Sequence, residues 1–214
     1  MPKQGKHLNI DQDIEPDVIF HSDEPLWGKY RRIGTLHLPE EACVESAGWE
    51  SPFASYEQRG FVCAQTTKCL KVEVAEIDNL SKNMILQEEV LYSKDMTRLI
   101  FCFEEKEEFV VPDTVKRIDA FAFCLQKRLR NITLHDGIQI IGAAAFMGCE
   151  SLETFTVPQS VTEIFRDTFD GCKSMKSIQL HNGITSIGSH AFRHCEALES
   201  VSLPVGLTHL DSFE

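Results

Sequence analysis

Apolar positions in the second half of the chain recur with a period of 23 residues. Two apolar residues separated by one polar residue predict a short strand, because alternate strand side chains point to opposite faces. A second apolar pair, a Phe position and a Leu or Met position follow in each repeat. The recurring positions are Phe109, Ile132, Phe155, Ile178 and Val201; Val111, Leu134, Val157, Leu180 and Leu203; Val115, Ile138, Val161, Ile184 and Leu207; Ile118, Ile141, Ile164, Ile187 and Leu210; Phe123, Phe146, Phe169 and Phe192; and Leu129, Leu152, Met175 and Leu198.

A turn separates the two apolar pairs of each repeat. Pro112, Pro158 and Pro204 alternate there with His135 and His181, and proline with nearby glycine favours a turn. Each repeat therefore predicts one coil: a strand, a bend, a second extended stretch and a short helical turn that carries the Phe. One coil cannot bury its apolar face alone, so we expect the coils to stack into a solenoid with parallel strand ladders.

One repeat identifies a family by its resemblance. The segment 152–164, LETFTVPQSVTEI, followed by TFDGC at 168–172, resembles the BspA-like (Treponema pallidum type) leucine-rich repeat. The resemblance covers about 107–210, and the segment 90–100 resembles the hairpin that often precedes such repeats. It implies a leucine-rich-repeat-like, right-handed coil, and, because some members are surface adhesins, it implies an adhesive function towards host or microbial partners.

The sequence departs from the repeat in several places. Asp119 and Phe165 occupy a column that has glycine at Gly142 and Gly188, and Gln126 stands where later repeats have cysteine. These departures predict weaker individual turns within the same architecture.

We expect three segments along the chain. Residues 1–69 lack the repeat and predict an irregular N-terminal cap or a degenerate repeat. Residues 70–106 predict a hairpin lead-in, and residues 107–214 predict the 23-residue repeats, with the last one incomplete.

Composition and charge disfavour some classes of partner. The chain has 21 Lys and Arg against 33 Asp and Glu, a net charge of −12, so nucleic acid is an unfavourable partner. No apolar run is long enough to span a membrane. The start carries no secretory signal pattern, so the chain as written is expected to be cytoplasmic; the family resemblance instead implies a cell-surface or secreted position if the N-terminus is trimmed.

The sequence motifs do not favour a catalytic site, a metal site or a cofactor site. Gly-rich phosphate loops, nucleophile elbows and dinucleotide fingerprints do not occur. Cys149, Cys172 and Cys195 recur at the repeat spacing, but parallel thiols on successive coils converge poorly on one metal ion, so we expect small buried, reduced thiols. His190 and His194 are four residues apart without the glutamate of a zinc-protease motif, and we expect them to face solvent.

The outward positions of the strands are the candidate binding surface. They repeat along the coil as polar, nearly neutral strips, a surface that suits a protein or glycan partner. The alternative interpretation is that they are merely β-favouring residues on exposed strands. Ile140 is the apolar exception in its row and the residue we most expect in a contact. The candidate residues are Thr133, Thr156, Gln179, Ser202, Ile140, Glu163 and Ser186.

The C-terminal end is the second candidate interface. The sequence stops before the Phe column would recur, which leaves Leu210 and Phe213 in an incomplete turn. An open solenoid end exposes apolar side chains and strand edges. Three interpretations remain open: a fragment of a longer protein, a cap improvised by Phe213, or contact with another chain, including an end-to-end homodimer.

Overall fold

The computed structural model describes residues 82–211 and, as strand backbone, 17–19, 32–38 and 73–79. The chain divides into two compact units, 1–94 and 95–214. The strands in chain order are β1 Asp17–Ile19, β2 Arg32–Leu38, β3 Glu73–Asn79, β4 Met84–Gln87, β5 Val90–Ser93, β6 Arg98–Cys102, β7 Glu108–Val110, β8 Arg117–Ile118, β9 Asn131–Thr133, β10 Ile140–Ile141, β11 Thr154–Thr156, β12 Glu163–Ile164, β13 Ser177–Gln179, β14 Ser186–Ile187 and β15 His209–Leu210.

The first unit contains two kinds of strand pairing. Strands β1, β2 and β3 form a parallel sheet in which β2 is central, so two strands lie in the segment expected as an irregular cap or degenerate repeat. Strands β4 and β5 form an antiparallel hairpin within the segment 70–106, where the sequence predicts a hairpin lead-in.

The second unit is a solenoid with two rows of parallel strands. Ladder I consists of β7, β9, β11 and β13, and ladder II of β6, β8, β10, β12, β14 and β15. Paired residues are 23 apart in ladder I, as in Phe109 with Ile132 and Phe155 with Ile178. Ladder II has the same spacing from β8 onwards, with Ile164 paired to Ile187 and Ile187 to Leu210, whereas its first pair, Leu99 with Ile118, is 19 residues apart. The parallel ladders predicted from the apolar period are confirmed.

The interior is built from the apolar columns. Phe146 is fully buried, and its ring stacks on Phe123 at 5.4 Å and on Phe169 at 5.7 Å between centroids, with nearly parallel planes. Phe192 continues the stack beyond Phe169 at 5.7 Å. Strand pairing is interrupted between the coils of β9–β10 and β11–β12, whereas the ring stack and backbone bonds such as Phe146 N–H to Thr168 O at 2.9 Å cross this step.

The Phe-bearing segments are turns, so the expected short helical turns are not seen in the described coils. Alternate N–H groups are used differently: those of Phe121 and Phe123 donate to the next coil, at Ala143 O and Ala145 O. Those between them, as in Ala122 to Asp119 O, close four-residue turns within the coil. Because every second N–H is committed to a neighbouring coil, a helical ladder cannot form, and left-handed residues such as Phe121 (φ 61°) bend the chain.

Candidate functional site

Four of the predicted binding residues form one exposed row on ladder I. Thr133, Thr156 and Gln179 occupy equivalent positions of β9, β11 and β13, and Ser202 takes the same position in the following coil. Thr156 Oγ1 lies 3.4 Å from Gln179 Oε1, which links two coils. Val110, one repeat earlier, is 70% exposed, so an apolar side chain heads a row of uncharged polar ones. We call these five residues the ladder I row.

The other three predicted residues lie on ladder II. Ile140, Glu163 and Ser186 are half-buried outward positions of β10, β12 and β14. The turn between the apolar pairs separates them from the ladder I row in every coil. The structure therefore places the seven candidates on two strips.

Histidine stabilises that turn by linking consecutive coils. His135 Nδ1 accepts a hydrogen bond from Gly137 N–H at 3.1 Å, and its Nε2 lies 3.1 Å from Pro112 O in the preceding coil. His181 repeats this arrangement on Gly183 and Pro158. A ring that accepts at Nδ1 carries its proton at Nε2, so each histidine donates to a backbone carbonyl of the preceding coil.

A buried ion pair explains one departure from the repeat. Asp119 is 6% exposed and accepts from Arg98 Nη2 at 2.5 Å and Arg117 Nε at 2.8 Å. The two guanidinium groups satisfy a carboxylate that would otherwise be costly to bury. These three residues link the first two rungs of ladder II, because Arg98 lies on β6, Arg117 on β8 and Asp119 directly after β8.

The cysteine column lies inside the coil, as the sequence predicts. Cys149 and Cys172 are fully buried, and each Sγ donates to a carbonyl of the preceding coil, Phe123 O at 3.2 Å and Phe146 O at 3.3 Å. Burial raises the pKa of the Cys172 thiol well above its usual range and raises the pKa of Cys195 to about 11. Thiols that stay protonated are poor metal ligands and nucleophiles.

Gln126 fills the equivalent position of the first repeat. Its Nε2 donates to Cys102 O at 2.9 Å, and its Oε1 accepts from Lys106 N–H at 3.3 Å. The side chain is fully buried and satisfies two backbone groups, which a thiol at this position does not do.

His190 and His194 have left-handed backbone conformations, with φ of 56° and 57°. His194 Nδ1 lies 3.0 Å from Asp170 Oδ1, and Arg193 donates to the same carboxylate at 2.6 Å. Burial, followed by repulsion from Asp170, raises the pKa of Asp167, which faces His190. The pair is therefore tied to the preceding coil through carboxylates rather than presented on a helix face.

Two columns of alternating charge follow each buried Phe, and the sequence interpretation missed them. They run Glu104, Lys127, Glu150, Lys173 and Glu196, and Glu107, Arg130, Glu153, Lys176 and Glu199. The signal is present in the sequence, because these charged positions recur every 23 residues with alternating sign.

Ion pairs connect the three central members of each charge column. Glu150 lies 3.2 Å from Lys127 and 3.5 Å from Lys173. Glu153 lies 3.8 Å from Arg130 and 2.7 Å from Lys176, and the Lys176 ammonium lowers the pKa of Glu153 through that hydrogen bond. Such pairs stabilise little individually when exposed, but any displacement by one coil sets like charges against each other.

The C-terminal coil leaves apolar side chains in solvent. Leu203 is 52%, Val205 89% and Leu210 44% exposed, whereas Ile187, one repeat before Leu210, is fully buried. Phe213, the other predicted end residue, lies outside the described residues.

Within the part of the chain that the structure describes, no three His, Cys, Asp or Glu side chains are grouped so as to hold a metal ion. The described residues also include no helix long and apolar enough to cross a membrane.

A solenoid of parallel rungs with continuous Ile, Leu and Phe columns defines a protein of the leucine-rich repeat type. The family model for the BspA type leucine rich repeat region matches residues 95–213 in six copies. The chain belongs to this family, as the repeat at 152–172 predicts.

One of the similar solved structures, that of a T. pallidum protein, supports the fold. A leucine rich repeat protein of T. pallidum is 23% identical, with a TM-score of 0.52 over 56% of this chain and 60% of that one. A leucine-rich repeat protein of Bacteroides ovatus is 26% identical (TM-score 0.49; 60% of this chain, 36% of that one). A leucine rich cell surface protein of Faecalibacterium prausnitzii is 23% identical (TM-score 0.47; 66% and 45%). The match thus spans 60% of the length of the T. pallidum protein, and no curated protein matches the sequence.

Proposed function

We propose that this protein is a non-catalytic interaction module that binds a protein partner through the ladder I row. The observation that carries the proposal is the row itself, in which Thr133, Thr156, Gln179 and Ser202 are all exposed, uncharged and in register. Strands stacked at about 4.8 Å per rung hold such side chains on a rigid frame, so a partner meets an ordered surface at little conformational cost.

The chemistry of the row favours a protein among the possible partners. Threonine and glutamine offer hydrogen bonds, and Val110, 70% exposed, adds an apolar contact at one end. A net charge of −12 opposes nucleic acid. Adhesion to a protein on another cell is the form of this function that the family resemblance favours, and a glycan is the alternative ligand.

Ladder II provides a secondary contact in the same proposal. Ile140 is a half-buried apolar side chain between the outward positions of Arg117 and Glu163, and it would add an apolar contact flanked by opposite charges. Because Arg117 already pairs with Asp119 at 2.8 Å, Ile140 and Glu163 are the more available members of that strip.

Two threonine replacements in one coil test the assignment. Thr156→Arg places a large cation in the middle of the ladder I row, and Thr162→Arg places the same group at an exposed position immediately before β12 of ladder II. Partners are captured on the immobilised chain from cell-surface extracts, quantified by mass spectrometry, and then titrated individually, with a glycan array in parallel.

We expect Thr156→Arg to weaken binding of the captured protein at least about tenfold, the effect of losing 1.4 kcal/mol, and Thr162→Arg, which lies beside the secondary contact, to weaken it less. Loss with Thr162→Arg alone would move the interface to ladder II and overturn the assignment. Binding only on the glycan array, or equal binding by all three chains, would also contradict the proposal.

As a second candidate function, we propose assembly through the C-terminal end. The exposure of Leu210, whose equivalents Ile164 and Ile187 are buried, favours it. In this function another polypeptide covers the last coil, and the homodimer expected from the sequence is one form of it. Molar mass in solution over a wide concentration range, compared with that of Leu210→Asp, tests the homodimer.

Adhesion by family resemblance favours a cell-surface position, and the sequence as written favours the cytoplasm. Both remain predictions, which fractionation of the natural source would separate.

A further inference from the structure

The turn at 181–184 contains an asparagine that is followed by glycine. Among the asparagines of the chain, Asn182 alone precedes glycine, whereas the others precede Ile, Leu or Met. Asn182 and Gly183 are both exposed. The side-chain amide carbon of an asparagine can close a five-membered ring with the backbone nitrogen of the next residue, and glycine, which has no side chain, hinders that closure least. The turn therefore meets the first chemical requirement for spontaneous deamidation.

A base contacts the nitrogen that closes this ring. Gly183 N–H donates to His181 Nδ1 at 3.1 Å, so the proton that the nitrogen must lose already lies in a hydrogen bond to an imidazole. Imidazole is the side-chain base suited to neutral pH. A methyl group at Gly183 would lie 2.9 Å from Nδ1, so glycine also allows the ring to approach this closely.

Two carbonyls of the preceding coil orient the imidazole ring. His181 Nε2 lies 3.0 Å from Pro158 O and 3.0 Å from Val161 O. With its proton on Nε2, the ring directs the Nδ1 lone pair at Gly183 N–H. Both carbonyl oxygens stay beside the ring when Nδ1 takes up a proton, and they stabilise the resulting positive charge. A base held by a third group in this way is the arrangement that activates a nucleophile.

We propose that Asn182 is a deamidation site at which His181 acts as the general base. His181 Nδ1 removes the proton of Gly183 N–H, the nitrogen forms a bond to Asn182 Cγ, and the bond from Cγ to the side-chain nitrogen breaks. Ammonia leaves with the proton returned by His181, and water then opens the cyclic imide. Asparagine and water thus give aspartate and ammonia, with no oxidant or reductant. The inference is independent of both candidate functions.

The fold already contains the aspartate form of this turn two repeats earlier. Asp136 occupies the position of Asn182 between a histidine and a glycine, and it is exposed. His135 Nδ1 accepts from Gly137 N–H at 3.1 Å there. Deamidation to aspartate converts the turn at 181–183 into the turn at 135–137, so we expect one more negative charge and an otherwise unchanged coil.

The packing of the turn favours aspartate over isoaspartate, the other product of opening the imide. Isoaspartate adds one atom to the main chain of a turn that is closed by Ile184 N–H to His181 O at 3.1 Å. Asn182 O also lies close to the next coil, because a methyl group at Gly206 would be 2.6 Å from it. Aspartate keeps the length of the main chain and therefore both contacts.

Two replacements of His181 test its part in the reaction. His181→Pro removes the base and introduces the residue found at Pro158 and Pro204 in the same column. His181→Ser keeps an acceptor, because a serine hydroxyl can accept from the N–H two residues further on, but a hydroxyl is too weak a base to take the proton. His135→Pro makes the first replacement in the turn that has aspartate, and it is the matched control for lost stability.

Asp136→Asn transfers the site to the turn at 135–137. The introduced asparagine precedes Gly137, whose N–H donates to His135 Nδ1, so it meets the same kind of base. His135→Ser in the same chain removes that base. This pair decides the role of the histidine if the His181 variants lose the native fold.

Peptide mapping by mass spectrometry follows the reaction in the whole folded chain near neutral pH. It records the exchange of NH2 for OH at each asparagine over time, and chromatography separates the aspartate and isoaspartate peptides. Asn131, exposed but followed by isoleucine, is the internal reference. Thermal unfolding establishes which variants keep the native fold.

We expect Asn182 to deamidate faster than Asn131, with aspartate as the main product. Both His181 variants should slow the reaction at least about tenfold, a conservative share of what a positioned base contributes, and His135→Pro should leave the rate at Asn182 unchanged. Asp136→Asn should create a second reactive position that His135→Ser slows.

Three results would overturn parts of the inference. If Asn182 were as stable as Asn131, the site itself would be wrong. An equal or faster reaction in folded His181 variants would show that the ring shields the nitrogen, and its role as base would be wrong. Isoaspartate as the main product would overturn the argument from the packing of the turn.

Discussion

Cys149, Cys172 and Cys195 occupy one position of the repeat, yet their surroundings differ along the solenoid. The first two are fully buried, whereas Cys195 is half-buried in the last coil. All three donate to a carbonyl of the preceding coil, for Cys195 to Phe169 O at 3.2 Å. Residue type therefore determines the hydrogen bond, and position in the array determines how far water reaches the sulfur.

The reactivity of Cys195 should show this difference. Burial raises its pKa to about 11, so the reactive thiolate is scarce at pH 8 and iodoacetamide should alkylate the native chain slowly there, with a rate that rises towards pH 11. Because the folded pKa lies above the unfolded value of about 8.5, the stability contributed by this thiol is complete below pH 8 and is lost as the pH rises through the folded pKa. Peptide mapping by mass spectrometry follows each cysteine separately.

Cys172 and the unfolded chain are the controls for that measurement. Cys172, fully buried, should remain unlabelled throughout the range in which the chain stays folded. In denaturant, all cysteines should label with the ordinary midpoint. A native Cys195 that labels with a midpoint near that of free cysteine would contradict the burial of this column.

At the scale of the coil, close contact between rungs is concentrated at the glycine column. A methyl group at position 142 would lie 2.4 Å from the Ala120 backbone nitrogen, and one at position 188 would lie 2.6 Å from that of Arg166. Where the column instead carries Asp119, two arginines satisfy the carboxylate. Alternation of a small residue with a larger one thus fits the spacing between coils.

Gly142→Ala should destabilise the chain by about 1–3 kcal/mol, the cost of overpacking a site that cannot yield. The matched control is Gly183→Ala, whose added methyl would meet only the His181 ring, at 2.9 Å from Nδ1. A side chain can move aside where a backbone nitrogen cannot, so the control should lose less. Urea unfolding measures both, and equal losses would show that the rungs separate freely at Gly142.

The sequence predicts the coil better than it predicts the links between coils. The apolar columns give the strands, the register and the buried Phe stack. The helical turn is wrong because spacing alone cannot show that alternate N–H groups, such as that of Phe123, bond to the next coil. The ion pair at Asp119 was missed because Arg98, its partner 21 residues earlier, lies before the expected start of the repeats.

The candidate site was predicted residue by residue but not as a surface. Period and alternation are enough to place Thr156 and Gln179 outside. They do not show that the turn stabilised by His135 and His181 divides the seven candidates between two ladders. The division depends on the angle between the two extended stretches, which is a property of the packed coil.

Across the whole solenoid, we expect stability to be highest in the central coils and lower in the last coil, because each coil contacts only its neighbours. Phe146 has a stacked ring on both sides, at 5.4 and 5.7 Å, and is fully buried. Phe192 stacks on Phe169 alone among the described residues and is half-buried. The two residues occupy the same position of the repeat, but Phe146 is more deeply buried and stacks on more neighbours than Phe192, so we expect it to contribute more to stability.

Phe146→Ala should therefore cost about 3–5 kcal/mol, the usual loss for a buried Phe, and Phe192→Ala clearly less. Hydrogen exchange gives the spatial signature. Phe146→Ala should raise exchange in coils on both sides of the stack, because it removes a contact that couples them, whereas Phe192→Ala should affect only the C-terminal coil. If both substitutions raised exchange uniformly from β6 to β15, the whole solenoid would unfold as a single cooperative block, and the C-terminal coil would be as rigid as the centre.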